Sequence, residues 1–276
     1  MSAWIDHEAA IRLYLLMGGF GVVAIWEALA PRRHPLPAAG WRWTVNIGLT
    51  IALSALIALA YPVLAVGAAV FAERHGYGVL RMTSLPAAVA AVVAFLALDL
   101  ARYGEHALLH HVPWLWRLHR VHHSDPQYDC TTALRFHPIE PVVTVGMHLA
   151  VVVALGASPL VVLAYECVAI VMGLFSHGNV RVPTAVDDLL RGVLVTPDLH
   201  RVHHSAFAAE AGRNFGGVLS GWDRLFHTYQ AQPAHGHERM AVGLADVAPH
   251  EAASLAWLLA APFTPARPAI APRAPD

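Results

Sequence analysis

Residues 85–111 read LPAAVAAVVAFLALDLARYGEHALLHH, an apolar run that passes without a break into acidic, basic and histidine residues. Leu85 to about Leu100 has the composition of a helix entering a bilayer, where all backbone polar groups must be satisfied within the segment. At about 100° per residue, Asp99, Tyr103, His106 and His110 fall on one stripe of the continuing helix. His106 and His110 stand i, i+4, a spacing that lets two imidazoles grip one metal ion. A helix that begins in hydrocarbon and ends in metal-ligating side chains predicts an all-α protein. The expected architecture is a polytopic membrane helical bundle with a cytoplasmic, histidine-rich helical cap.

Upstream, residues 1–98 read as N-terminal transmembrane helices. Ala10 to Ala30 is a first span, with Arg12 early and Glu27 near its end, and Pro31 stops it. Arg32, Arg33 and Arg42 follow in a short loop, where Trp41 and Trp43 suit interface anchors. Val45 to Ala72 is uncharged and long enough to be a second, tilted span. Glu73 to Arg81 is a polar turn. Three arginines in the first loop against Arg74 and Arg81 in the second predict that the first loop is cytoplasmic. The third span then returns the histidines to the cytoplasmic side. The start, MSAWIDHEAAIR, has no basic region followed by a small-residue cleavage site, so no cleaved signal peptide is expected.

Downstream, residues 99–243 form the expected catalytic region. Within it, Pro141 to Phe175 is apolar, with Glu166 its only charge, and Gly156-Ala157-Ser158-Pro159 interrupts it near the middle. Two arms of about 15 residues predict a membrane hairpin over 141–175 that returns to its starting side. That topology brings His177 back to the face carrying the other histidines; a single span would put it on the opposite face. Pro183 to Gly243 is polar and mixed, as a cap should be. In 244–276, Glu251 to Phe263 suits a short interfacial helix, and PARPAIAPRAPD a disordered tail.

Composition agrees. Of 276 residues, 57% are hydrophobic and 13% charged, with mean hydropathy +0.49, against about 25% charged residues in soluble domains. A net charge of -1 gives no field for nucleic acid. Cys130 and Cys167 make no metal or disulfide framework. The anomaly is the 19 histidines against 18 basic residues, all of them arginine. Eight histidines lie between His106 and His148, and three between His200 and His204.

The hexapeptide LHRVHH occurs twice, supplying His119, His122 and His123, then His200, His203 and His204. On a helix the three imidazoles of HxxHH point to about 0°, 300° and 40°, within one arc but toward different centres. One such segment can therefore serve two neighbouring ions. Eight clustered histidines are enough for two ions with nearly all-nitrogen shells. Structural zinc needs four ligands and usually takes cysteine, HExxH is absent, and no carboxylate lies inside the HxxHH segments to bridge two hydrolytic zincs. Redox iron fits this donor set better. A histidine-rich membrane metal-binding or transport protein and a two-zinc membrane hydrolase are the alternatives; a transporter would spread its histidines along the spans.

The ordered segments RYGEHALLHH, LHRVHHSDPQYD, ALRFHPIE, FSHGNVRVP, TPDLHRVHHS and NFGGVLSGWDRLFHTY, all within residues 99–229, resemble the fatty acid hydroxylase superfamily, which includes sterol desaturases and C4-methyl sterol oxidases. The resemblance implies an integral membrane di-iron oxygenase that uses O₂ to hydroxylate or desaturate a lipid C–H bond. It marks His106, His110, His119, His122, His123, His200, His203 and His204 as ligands and adds His177. It gives His137 an outer role or weak ligation. The chain departs from fatty-acid 2-hydroxylases in the three residues between His106 and His110 and in Arg181, where they carry a further histidine. It is similar instead to general bacterial sterol-desaturase-like members, which implies the bacterial inner membrane. His227 stands where relatives commonly have glycine and reads as a surface or packing residue; His111, turned away from His110, reads as structural.

Ligating imidazoles usually donate their other N–H to a carboxylate or carbonyl. Asp99 is the foremost candidate for that role, followed by Asn214, Asp198, Glu140 and Asp223, while Asp125 and Asp188 read as solvated surface residues. No HPGG-type haem motif, CxxC series or GxGxxG is present. Electrons are therefore expected from an external donor: a ferredoxin, a cytochrome b5-like protein or a reductase. The expected partners are that donor, a lipid substrate and the membrane, with no nucleic acid.

Overall fold

The computed structural model describes residues 5–34, 39–61 and 63–264, and among them the fold is all-helical, without strands. Nine helices position the site: α1 (Glu8–Leu29), α2 (Ala39–Ala60), α3 (Ala65–His75), α4 (Ala87–His111), α5 (Pro113–His123), α6 (Ile139–Leu155), α7 (Pro159–Ser176), α8 (Thr184–Leu190) and α9 (Pro197–His203). Four helical stretches are long and apolar enough to cross a membrane: α1, Gly40–Met82, α4 and α7. Their outer faces expose Tyr14, Met17 and Ile25 on α1 and Val89, Val92 and Leu96 on α4. In water these would be an uncovered apolar patch; in a bilayer they face a solvent as apolar as themselves.

The expected single span from Val45 to Ala72 is corrected. α2 stops at Ala60 and α3 begins at Ala65, and the sequence between carries Pro62, which has no N–H to continue a helical ladder. α3 packs against α6 and α7 rather than prolonging α2. Its residues Val66, Ala69 and Ala72 are fully buried. Tyr61, at the end of α2, donates its hydroxyl to Val142 O on α6 at 2.6 Å. A Cβ on Gly146 would sit 2.5 Å from that hydroxyl, so glycine is what admits the tyrosine.

The arms of the 141–175 segment are α6 and α7, turned about Gly156 (φ 65°). Ser158 caps α7 by accepting from Val161 N at 3.4 Å, and Pro159 occupies its first turn. A Cβ on Gly78 would overlap the Gly156 backbone, and one on Gly156 would lie 2.5 Å from Tyr77 O. The second loop therefore lies directly on the α6–α7 turn, at the end of the bundle opposite the histidines.

At the histidine end, the first loop joins the cap. Arg32 bonds Asp198 at 3.2 Å and also pairs with Glu238. Arg42, expected in an open loop, is buried on α2 and holds Asp125 at 2.5 Å together with Asp129. This corrects two expectations. Asp125 is not a surface residue but fully buried, because Arg42, Thr132 and Asn46 surround it. Arg42 is a tether and not an interface charge, so the arginine count of this loop no longer outweighs that of the second. The expected helix over Glu251–Phe263 is instead two short helices, Pro249–Ala252 and Leu255–Ala260, with a tight turn at Ala261–Phe263. The tail from residue 265 lies outside the described residues.

Candidate metal centre

Nine histidines meet where α4, α5, α7 and α9 end. They form two adjoining groups, His106, His110, His119, His123 and His203 in one, and His122, His177, His200 and His204 in the other. Each residue offers one ring nitrogen, and within a group these nitrogens all lie within 4.8 Å of one another. Every member is also a residue singled out in the sequence, and no described carboxylate belongs to either group.

The helical phase of HxxHH explains the partition. On α5, His119 and His123 are one turn apart and face the first group, while His122 faces the second. α9 mirrors this: His200 and His204 face the second group and His203 the first. α4 adds the i, i+4 pair His106 and His110, and the chain leaving α7 adds His177. The two segments thus exchange one imidazole each, and the rings of His123 and His204 stack at 4.4 Å where the groups touch.

The outer nitrogens define the inner ones. His106 Nδ1 donates to Phe215 O at 2.9 Å, His122 Nδ1 to Arg135 O at 3.2 Å, His177 Nδ1 to Gly173 O at 2.7 Å and His203 Nδ1 to Arg213 O at 2.7 Å. A carbonyl only accepts, so in each ring Nδ1 carries the hydrogen and Nε2 presents a lone pair inward. His119 Nδ1 does the same toward Glu140 Oε1 at 2.7 Å. Nε2 of His106, His119 and His203, and both nitrogens of His204, are buried without a hydrogen-bond partner. Others crowd together: His110 and His123 Nε2 at 3.1 Å, and His177 Nε2 3.2 Å from both His122 and His200. Two nitrogens on one ion at about 2.1 Å each, at right angles, stand about 3.0 Å apart. Converging lone pairs at that separation repel unless a cation lies among them, so this donor set fits metal ions.

Burial, reinforced by neighbouring imidazoles, pushes His119, His122, His123, His200 and His204 well below the ordinary histidine range. It takes His203 to about 3 and His177 to about 4. These rings are neutral at neutral pH, the form that ligates.

Three expected supporting residues lie elsewhere. Asp99 touches no imidazole; its carboxylate accepts from Trp222 Nε1 at 2.9 Å, Leu219 N at 3.1 Å and Tyr165 Oη at 3.4 Å, pinning the glycine-rich 214–219 loop to α4 and α7. Asn214 clamps backbone, donating to Leu199 O and Gln230 O from the left-handed region (φ 55°). His137 accepts from Ile139 N at 3.2 Å and reaches Leu259 O at 3.3 Å, away from both groups. Glu140, the weaker candidate, is the residue that orients a histidine. Asp223 acts at one remove: it accepts from Phe215 N and Gly216 N, aiming the carbonyl that holds His106. The carbonyl partners carry no mark in a sequence, since any residue supplies one. His111 is exposed and bonds Ala107 O within α4, and His227 is exposed with φ 59°.

Beside the histidines lies a cavity of about 510 Å³ between α1, α2, α4, α6 and α7. His106, His119, His122, His177 and His200 line one end, and Leu16, Leu53, Phe136, Val145 and Ile170 its walls.

The family model described as Fatty acid hydroxylase matches residues 91–228, half of the chain. The chain belongs to the fatty acid hydroxylase family. The matched stretch carries all nine histidines and the two LHRVHH segments. Curated relatives include ornithine lipid hydroxylase OlsE of Rhizobium tropici, 34% identical over 54% of this chain and 44% of that protein. Human alkylglycerol monooxygenase is 30% identical over 55% of this chain and 32% of its own. Human cholesterol 25-hydroxylase is 27% identical over 48% of each. The chain spans about half or less of the length of these fatty acid hydroxylase relatives. No solved structure matches this fatty acid hydroxylase chain.

Proposed function

We propose that the protein is an integral membrane di-iron oxygenase that hydroxylates or desaturates a lipid C–H bond, with O₂ as co-substrate and electrons from a separate donor. The observation that carries this reading is the pair of all-imidazole groups opening into an apolar cavity inside the membrane bundle. The relatives named for ornithine lipid, alkylglycerol and cholesterol support a lipid as the substrate class.

The five-histidine and four-histidine groups would hold one iron each, with all nine histidines as ligands. The irons, when bound, supply O₂ activation and oxidation of an unactivated C–H bond. For hydroxylation the balance is one substrate C–H, one O₂, two electrons and two protons giving one alcohol and one water. The chain's own residues do the rest. Glu140 and the carbonyls of Phe215, Arg135, Gly173 and Arg213 fix the rings so that Nε2 faces inward. Leu53, Phe136 and Ile170 keep the cavity dry and align an alkyl chain with its histidine end. The cap would face the cytoplasm of a bacterial inner membrane, where a ferredoxin, cytochrome b5-like protein or reductase can reach it.

His122→Ala and His203→Ala each remove one imidazole from a different group. Each variant is expected to hold fewer than two irons per chain and to lose O₂-dependent lipid oxidation by about 100-fold or more. Metal analysis of the purified protein and lipid profiling of cells carrying each variant check this. Two zincs per chain, or full oxidation by both variants, would reject the proposal.

A further inference from the structure

The cavity has a second end. Arg12 on α1, His148 on α6 and Glu166 on α7 line it together with the histidines. Arg12 Nε and Nη2 both bond Glu166 Oε2, at 3.1 and 2.7 Å, and Nη2 also bonds Glu8 at 2.9 Å. Glu166 Oε1 is left facing His148 Nε2 across 3.9 Å, too far for a hydrogen bond. That nitrogen is buried without a hydrogen-bond partner. A clamp that only packed α1 on α7 would have no use for a facing carboxylate oxygen and imidazole nitrogen held apart beside a cavity. Ionisable groups inside membrane helices are costly, and so point to a function.

We infer that Arg12, His148 and Glu166 form a recognition subsite for the hydrogen-bond-donating head group of the substrate. This rests on the reading that lipid enters the cavity. A hydroxyl or amine donates to Glu166 Oε1 and, as a hydroxyl, also accepts from His148. Two carboxylates share the single Arg12 guanidinium, so the site favours a donor over an anionic head. Arg12 holds Glu166 in place by two bonds and is a positioning residue. It lies outside the 91–228 region shared with the family, whereas His148 and Glu166 lie inside it, so the N-terminal helix contributes the residue that holds Glu166 in place.

The geometry also sets a ruler. Glu166 precedes His177 by eleven residues, about 16 Å along a helix axis. An extended chain gains about 1.2 Å per bond, which places the oxidised carbon about thirteen bonds from the head group.

The test uses the iron-loaded full chain in nanodiscs with 1-hexadecanol and hexadecyl methyl ether, which cannot donate. Native mass spectrometry is expected to show the alcohol bound about tenfold more tightly. Glu166→Gln should weaken that preference with iron content unchanged, while His148→Phe, which removes a donor that either probe's oxygen can accept from, should weaken both probes alike. Should Glu166→Gln lose iron because Arg12 is released, the probe preference of the unsubstituted protein, together with an equal loss of both probes in His148→Phe, decides. Equal binding of both probes by the unsubstituted protein, an undiminished preference in iron-loaded Glu166→Gln, or unchanged binding of both probes by His148→Phe overturns the subsite. Turnover with a chemical reductant separates the two readings. Hydroxylation far from the oxygen is expected, and oxidation within the first few carbons overturns the ruler. Alcohol preference without oxidation of either probe would reject the oxygenase and retain the subsite.

Discussion

At the scale of single residues, His119 Nδ1 and Glu140 Oε1 meet at 2.7 Å, the contact that would orient this imidazole toward a metal ion. The carboxylate fixes the tautomer and makes the inward nitrogen a better donor. Glu140→Gln keeps the size and loses the charge, so iron affinity should fall by about 10- to 100-fold. Iron retention during dialysis against graded chelator measures it. His137→Gln is the contrast, since His137 bonds Ile139 N and Leu259 O away from both histidine groups; it should keep its iron. Retention of wild-type affinity by Glu140→Gln would show that the carboxylate is a bystander. The clustered histidines were legible because their spacing repeats. The outer partners were not, because Asp99 and Glu140 look alike in a sequence and only packing decides which carboxylate meets an imidazole.

At the scale of elements, the α6–α7 hairpin delivers His177. Its turn depends on Gly156, whose left-handed backbone and approach to Tyr77 O leave no room for a side chain. Gly156→Val should lower stability by about 2–3 kcal/mol, from the left-handed conformation and the overlap together. It should also weaken the group of His122, His177, His200 and His204 before the other, because only that group draws on α7. Thermal unfolding in detergent and iron stoichiometry test both parts. An unchanged midpoint with two irons would mean that the turn tolerates the side chain. The Gly-Ala-Ser-Pro interruption is the local mark of that turn. The break between α2 and α3 is marked in the sequence by Pro62, a mark that hydropathy does not register because the run on either side of it is equally uncharged.

At the scale of the whole molecule, the bundle has two ends with different contents. Met82, 84% exposed, adjoins the α6–α7 turn, and Leu189, 78% exposed, lies on the cap. A cytoplasmic cap predicts that a membrane-impermeant maleimide labels Met82→Cys in intact spheroplasts and Leu189→Cys only after lysis. Cys130 is buried and Cys167 half-buried, which keeps the background low. The reverse pattern would place the histidines outside. This measurement carries the weight that arginine counting cannot, since Arg42 is spent on Asp125 and Asp129.

The sequence by itself determined the helical class, the long apolar stretches of α1 and α4, the interruption between α6 and α7 and the histidines that belong together. Those follow from periodicity, from hydropathy and from a repeated spacing, all of which are local along the chain. Only the tertiary structure decided how the nine imidazoles divide into five and four, which carbonyls and which carboxylate orient them, and that the cavity beside them ends on Arg12, His148 and Glu166. Helical phase within each HxxHH sets its middle imidazole apart from the other two, but which groups the two segments then join, and the other two features, depend on residues far apart in sequence whose approach is set by helix packing.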